Sequence, residues 1–204
     1  GAGDADLDNI VSPDQTQDAC VIEFDLKVNG DTLKFNYTFG SEEYPEYIGS
    51  FNDVFGFFIS GPGIPFQNIA LIPGTTTPVS INNVNNGSTN AGPCTNCTYY
   101  VNNGTGLTPL ANPTVQYDGL TTSLQARIPV NPCDTYHLKL AVADVVDDAL
   151  DSGVFIEKDT LARLETYYWR TRPIYDEGGA LGRNKLLSSR RAQATAQRGQ
   201  EQGQ

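Results

Sequence analysis

Apolar residues recur at every second position along two neighbouring runs, and that period leaves little choice but β-structure. Cys20, Ile22, Phe24, Leu26 and Val28 alternate with Val21, Glu23, Asp25 and Lys27. Leu33, Phe35, Tyr37 and Phe39 then alternate with Thr32, Lys34, Asn36 and Thr38. A strand sends successive side chains to opposite faces, so each run reads as a strand with one face on a core. Asn29-Gly30 lies between them, and this dipeptide is the strongest short-range hairpin signal, which predicts that the two strands pair with each other. Further short strands are expected over 54–60, 69–72, 79–81, 98–102, 121–128, 135–143 and 153–157. Roughly nine short strands separated by turns predict an all-β fold, an antiparallel, jelly-roll-like β-sandwich with long loops.

Charge narrows the function. With 24 Asp and Glu against 13 Lys and Arg, the chain carries a formal charge of −11. Such a protein repels phosphate, which argues against nucleic acid as a partner. The total conceals an asymmetry: residues 1–157 hold four basic and nineteen acidic residues, a charge of −15, whereas residues 158–204 hold nine basic and five acidic, a charge of +4. Composition shifts at the same point from Val, Phe, Gly, Asn and Thr to Arg, Gln and Ala. Two parts are therefore expected, a sandwich domain over 1–157 and a basic C-terminal extension over 158–204, partly helical or extended. Within the extension, Asp159 is placed to cap a helix bearing Leu161, Leu164, Tyr168 and Trp169, which Pro173 would end. The stretch 165–172 reads alternatively as a strand for addition to a neighbour's sheet. Large apolar residues run out after Leu187, and such a segment alone does not offset the entropy of being ordered, so a neighbouring copy is its expected support.

The longest apolar run, Val54 to Ile59, is interrupted by Gly56 and falls far short of the ~20 residues of a membrane helix, so no membrane span is expected. The chain begins at Gly1 and contains no methionine, which suggests a mature, exported protein. Cys20, Cys94, Cys97 and Cys133 in a loop-rich, Lys-poor chain point to an oxidising, extracellular setting and to structural disulfides. Four cysteines allow three pairings. Cys97 with Cys133 and Cys20 with Cys94 is preferred, followed by Cys94 with Cys97 and Cys20 with Cys133. The Cys-Thr-Asn-Cys spacing resembles a redox pair or half a zinc site, but it stands in an Asn/Gly loop before Tyr99-Tyr100, not at the start of a helix.

Oxygen ligands concentrate at two strand ends. Glu42, Glu43 and Glu46 flank one loop with Asn52 and Asp53 nearby, and Asp144, Asp147, Asp148 and Asp151 crowd an eight-residue turn between two apolar strands. Calcium takes six to eight oxygens in irregular loops, which makes Glu42, Glu43, Asn52, Asp53, Asp144, Asp148 and Asp151 candidate ligands. A solvated acidic loop, its aspartates closing turns through their own backbone, is the plainer alternative. His137 alternates with Tyr136 and Leu138 onto the outer face, and no nucleophile motif accompanies it, so no enzyme is expected. Asn36, Asn86, Asn96 and Asn103 begin N-x-Ser/Thr sequons, and Asp31-Thr32-Leu33 and Asp159-Thr160-Leu161 have the form of bacterial O-glycosylation sites. Thr32 and Thr160 are thus candidate glycosylation sites.

Two stretches carry a family resemblance: Ser41-Glu-Glu-Tyr-Pro-Glu-Tyr47 leading to Phe51-Asn-Asp-Val-Phe-Gly-Phe-Phe-Ile-Ser-Gly-Pro-Gly63, and the run from Tyr136 through Ala143-Asp-Val-Val-Asp-Asp-Ala-Leu-Asp-Ser-Gly153 to Glu157. In order and spacing, residues 4–157 resemble the choice-of-anchor L domain. The resemblance implies an extracellular β-rich module of secreted bacterial surface or adhesin-like proteins, without an established activity. The basic extension departs from it.

The leading expectation is a structural or adhesive surface protein that forms a filament, copy docking on copy. Leu161, Leu164, Tyr167, Tyr168, Trp169, Arg170 and Arg172 are the candidate assembly residues, and calcium and disulfides would stabilise the subunits. A head-to-tail contact that does not close into a ring propagates. The second expectation is a calcium-dependent carbohydrate-binding module that engages surface glycans through Tyr44, Tyr47, Tyr99, Tyr100 and Asn102.

Overall fold

The computed structural model describes residues 1–105 and 108–158 and the backbone of 186–187. A short helix α1 (Ala5–Val11) precedes four strands, β1 (Thr16–Lys27), β2 (Thr32–Ser41), β3 (Val54–Gly61) and β4 (Ile64–Asn68). After a long irregular stretch come β5 (Tyr100–Asn102), β6 (Gly104–Thr105), β7 (Thr108–Pro109), β8 (Gly119–Thr121), β9 (Leu124–Pro129), β10 (Thr135–Val145) and β11 (Ser152–Ile156), and then β12 (Leu186–Leu187). One large sheet has the order β1-β10-β3-β4, the other has β12-β11-β2-β8-β5 with β9 also paired to β2, and β6 and β7 form a separate two-stranded sheet. Every pairing is antiparallel except β11 with β12. The expected antiparallel sandwich is the fold observed. The candidate assembly residues Leu161, Leu164, Tyr167, Tyr168, Trp169, Arg170 and Arg172, and the candidate glycosylation site Thr160, lie outside the described residues.

Alternation produces the core. Phe24 and Leu26 of β1, Leu138, Leu140 and Val142 of β10, and Phe55, Phe57 and Ile59 of β3 face Leu33, Phe35, Tyr37 and Phe39 of β2 across the sandwich. Phe35 meets Phe57 edge-on at 4.0 Å between ring centroids, and Tyr37 lies 5.2 Å from Phe55. From Val54 to Ile59 β3 is buried at every residue, because α1 covers its other face. Leu7 and Val11 pack there on Val54, Phe58, Ala141, Ala143 and Val145. Gly56 lets the helix approach, since a Cβ at that position would lie within 3 Å of both Phe58 and Leu7. Asp4 caps α1 by accepting from the Asp6 and Leu7 amides, 3.1 and 3.2 Å. Lys139, nearly buried on β10 beneath the helix, donates to Asp4 Oδ2 at 2.5 Å and Asp6 Oδ2 at 2.6 Å.

Three expectations need correction. First, β1 and β2 do not form a hairpin: β1 pairs with β10 in one sheet, and β2 pairs with β8, β9 and β11 in the other. Asn29-Gly30 turns an arch from sheet to sheet. Both strands direct their apolar faces at the same core from opposite sides, and the arch is tied by Val28 N to Asp134 O (3.0 Å) and Val130 N to Asp31 O (2.9 Å). Second, 69–72 and 79–81 do not form strands; a single bridge joins Leu71 to Pro78, Ile72 N donates to Thr77 O at 2.9 Å, and residues 81–83 form a 3₁₀ turn. Pro73 and Pro78 supply no amide for a ladder. Third, Cys94 is joined to Cys97, whereas Cys20 and Cys133 are free thiols. This overturns the pairing of Cys97 with Cys133 and Cys20 with Cys94, and also Cys20 with Cys133. Cys20 sits opposite Val142 on β1, while the Cys133 amide bonds Val28 O eight residues further along the chain. That separation is about 26 Å of strand, against a limit of roughly 7 Å between disulfide Cα atoms.

Candidate functional site

The two acidic stretches meet at one end of the sandwich. Ser41 closes β2 and Ser152 opens β11, and the two are cross-strand partners, both fully buried. Asp53, 1% exposed and placed just before β3, joins them: its Oδ2 accepts from Ser152 Oγ at 2.5 Å and from Ser41 Oγ at 3.4 Å, and its Oδ1 accepts from Val145 N at 3.0 Å. One carboxylate thus ties the ends of both sheets. Burial pushes its pKa up to about 6, with Asp147 adding to the rise, although all three hydrogen bonds act in the opposite direction.

Glu43 is the second buried carboxylate, 2% exposed. Its amide donates to Ser41 Oγ at 2.9 Å, which draws the chain inward at the end of β2. Glu43 Oε2 is shielded from solvent and has no hydrogen-bond partner. Burial, then Asp53, Asp147, Glu46 and Glu42 in that order, pushes the Glu43 pKa up to about 8. Leaving such a group unsatisfied costs about 1–3 kcal/mol, and more when it is charged.

The other expected ligands have separate duties. Glu42 binds Asp151 reciprocally: its amide donates to Asp151 O and its Oε2 accepts from Asp151 N, each at 3.1 Å. Asn52 Oδ1 accepts from Asn82 N at 2.9 Å, and Asn82 Oδ1 from Gly49 N at 2.7 Å, which fixes the loop between β2 and β3. Asp144 is buried near the end of β10 opposite Gln17, and Asp148 is exposed. Asp147 Oδ1 accepts from Ala149 N at 3.2 Å, a side-chain-closed turn, next to Val146, whose φ of +80° is rare for a β-branched residue. Among the described residues, no three His, Cys, Asp or Glu side chains converge as a ready-made metal cage.

The structure also singles out Tyr117, which sequence reasoning passed over, and gives Asn103 a role beyond its sequon. Tyr117 lies over Gly40 and Gly153, where a Cβ would collide with its ring. Its pKa rises to about 12 through burial and the charges of Asp151, Glu42 and Asp144. Asn103, 1% exposed, positions the loop that carries Tyr117: Nδ2 donates to Val115 O and Tyr117 O at 3.1 and 2.9 Å, and Oδ1 accepts from Ala111 N and Asn112 N at 3.0 and 2.6 Å. As a sequon Asn103 is therefore inaccessible. Thr32 is partly exposed and donates to Asp31 Oδ1 at 3.0 Å. His137 faces Asp25 across the strand pair at 3.0 Å, on the outer surface and away from the acidic end. Tyr44 is fully buried, its hydroxyl donating to Val84 O at 2.7 Å, so it presents no ring to a sugar.

Fold and loop end together define the class, a two-sheet, mostly antiparallel β domain with one buried carboxylate, Asp53, tying its strand ends. The chain belongs to the Choice-of-anchor L domain family, whose sequence model matches residues 1–162. Membership implies a cell-surface or secreted protein. Comparison with curated proteins and with solved structures gave no match. No helix among the described residues is long and apolar enough to cross a membrane.

Proposed function

We propose that this is a non-catalytic structural or adhesive protein of the cell surface, whose subunits assemble by docking the basic extension of one copy onto the acidic body of the next, with calcium stabilising the subunit. The charge split carries this reading: −15 over residues 1–157 and +4 over 158–204, with the family domain ending at residue 162. Attraction between unlike surfaces on successive copies is heterologous and favours open-ended growth. Electron microscopy and light scattering of the full chain, and of a chain lacking residues 158–204, test it. Filaments or oligomers should form with the full chain at low ionic strength, weaken as salt screens the charges, and vanish on deletion. Assemblies that survive the deletion would refute the reading.

Surface glycans draw less support as partners. Tyr44 is buried, and Tyr100 donates to Asn90 Oδ1 at 2.8 Å. Tyr47 is 40% exposed and packs edge-on against Phe51, which leaves one exposed ring beside the acidic end. Glycan-array binding that disappears with chelator would favour this second reading.

A further inference from the structure

Glu43 Oε2 is an interior oxygen without a partner, and the charged groups acting on it, Asp53, Asp147, Glu46 and Glu42, are all acidic. None of those five carboxylates forms an ion pair with a Lys, Arg or His among the described residues. Protonating Glu43 would remove its charge but leave a buried O–H or C=O still unmatched. A cation answers both deficits at once. We propose that the loop end formed by residues 41–53 and 144–152 binds one calcium ion, with Glu43 as the interior ligand and Asp147 and Glu46 closing on it from the rim.

The donor chemistry selects the ion. These two segments contain no His or Cys, which disfavours zinc and other metals that prefer nitrogen or sulfur. Magnesium demands near-ideal octahedral geometry and gives up its waters reluctantly, whereas calcium accepts irregular sets of six to eight oxygens, including backbone carbonyls and water. The geometry also says what must move. Asp53 is fixed by three hydrogen bonds, whereas residues 146–150 lie outside either sheet. Binding should therefore draw the Asp147 turn toward Glu43. The site is internal to one subunit and does not depend on assembly.

Calorimetric titration of the chelator-treated full-length protein with calcium, and in parallel with magnesium, tests this in the wild type, Glu43→Gln, Asp147→Asn and the remote control Asp14→Asn. Asp147→Asn keeps the turn's acceptor oxygen and removes only its charge, so it reports even if Glu43→Gln fails to fold. The expected result is single-site calcium binding about tenfold or more tighter than magnesium, weakened about tenfold by either site variant and unchanged in the control. Absence of calcium binding, magnesium binding equal to calcium, or site variants that bind like the wild type would overturn it. Loss of assembly in Glu43→Gln without any calcium binding would also overturn it, and would assign the missing cation to the basic extension.

Discussion

Two residues, Asp53 and Glu43, hold protons more tightly in the fold than in an unfolded chain, and the sign of that difference sets how stability depends on pH. Because both folded-state values are raised, each carboxyl contributes stability fully below its unfolded value near 4, and this is lost as pH rises through about 6 for Asp53 and about 8 for Glu43. With chelator present, the denaturation midpoint should fall between about pH 4 and pH 8, and Glu43→Gln should flatten the upper part of the decline. A midpoint that climbs across this window would contradict the burial assigned to both groups. Asn103 acts through geometry rather than charge. Its truncation to alanine strands the Ala111 and Asn112 amides and the Val115 and Tyr117 carbonyls, so urea unfolding should register a loss of about 2–4 kcal/mol.

At the scale of elements, α1 is held by contacts on both of its sides. Leu7 and Val11 are pressed into the outer face of the β1-β10-β3-β4 sheet, and Asp4 and Asp6 meet Lys139, whose pKa stays raised because the two aspartates outweigh the opposing effect of burial. Lys139→Met leaves two partly buried carboxylates without their cation, which should cost about 1–3 kcal/mol and make residues 1–15 the first segment cut in limited proteolysis. The alternation of β1, β2 and β10 was legible because a period of two survives any tertiary arrangement. The partners of β1 and β2 were not, since Asn29-Gly30 dictates a reversal but not which sheet receives the next strand. Helix α1 escaped notice because seven residues carry only one apolar repeat, Leu7, Ile10 and Val11, after the capping Asp4. The carboxylates of the candidate site were visible as residue types. Which of them is buried without a partner depends on how β2, β3 and the turn after β10 meet, and no local pattern encodes that.

Across the whole molecule, covalent constraint is slight. The Cys94–Cys97 bond spans a sequence separation of three, so reduction should remove no more than about 2 kcal/mol of stability. Titration of the unreduced, denatured chain should count two free thiols, Cys20 and Cys133; a count of zero would restore a second disulfide. What unites the domain instead is the pairing of β1 with β10, in which Thr16 lies opposite Val145. Pairings this remote in sequence give a high contact order and slow folding. The arch at Asn29-Gly30 delivers the chain to the second sheet before the first has β10, so β1 has no strand to pair with until β10 follows. A polypeptide built this way should complete its fold only after its far end has been made.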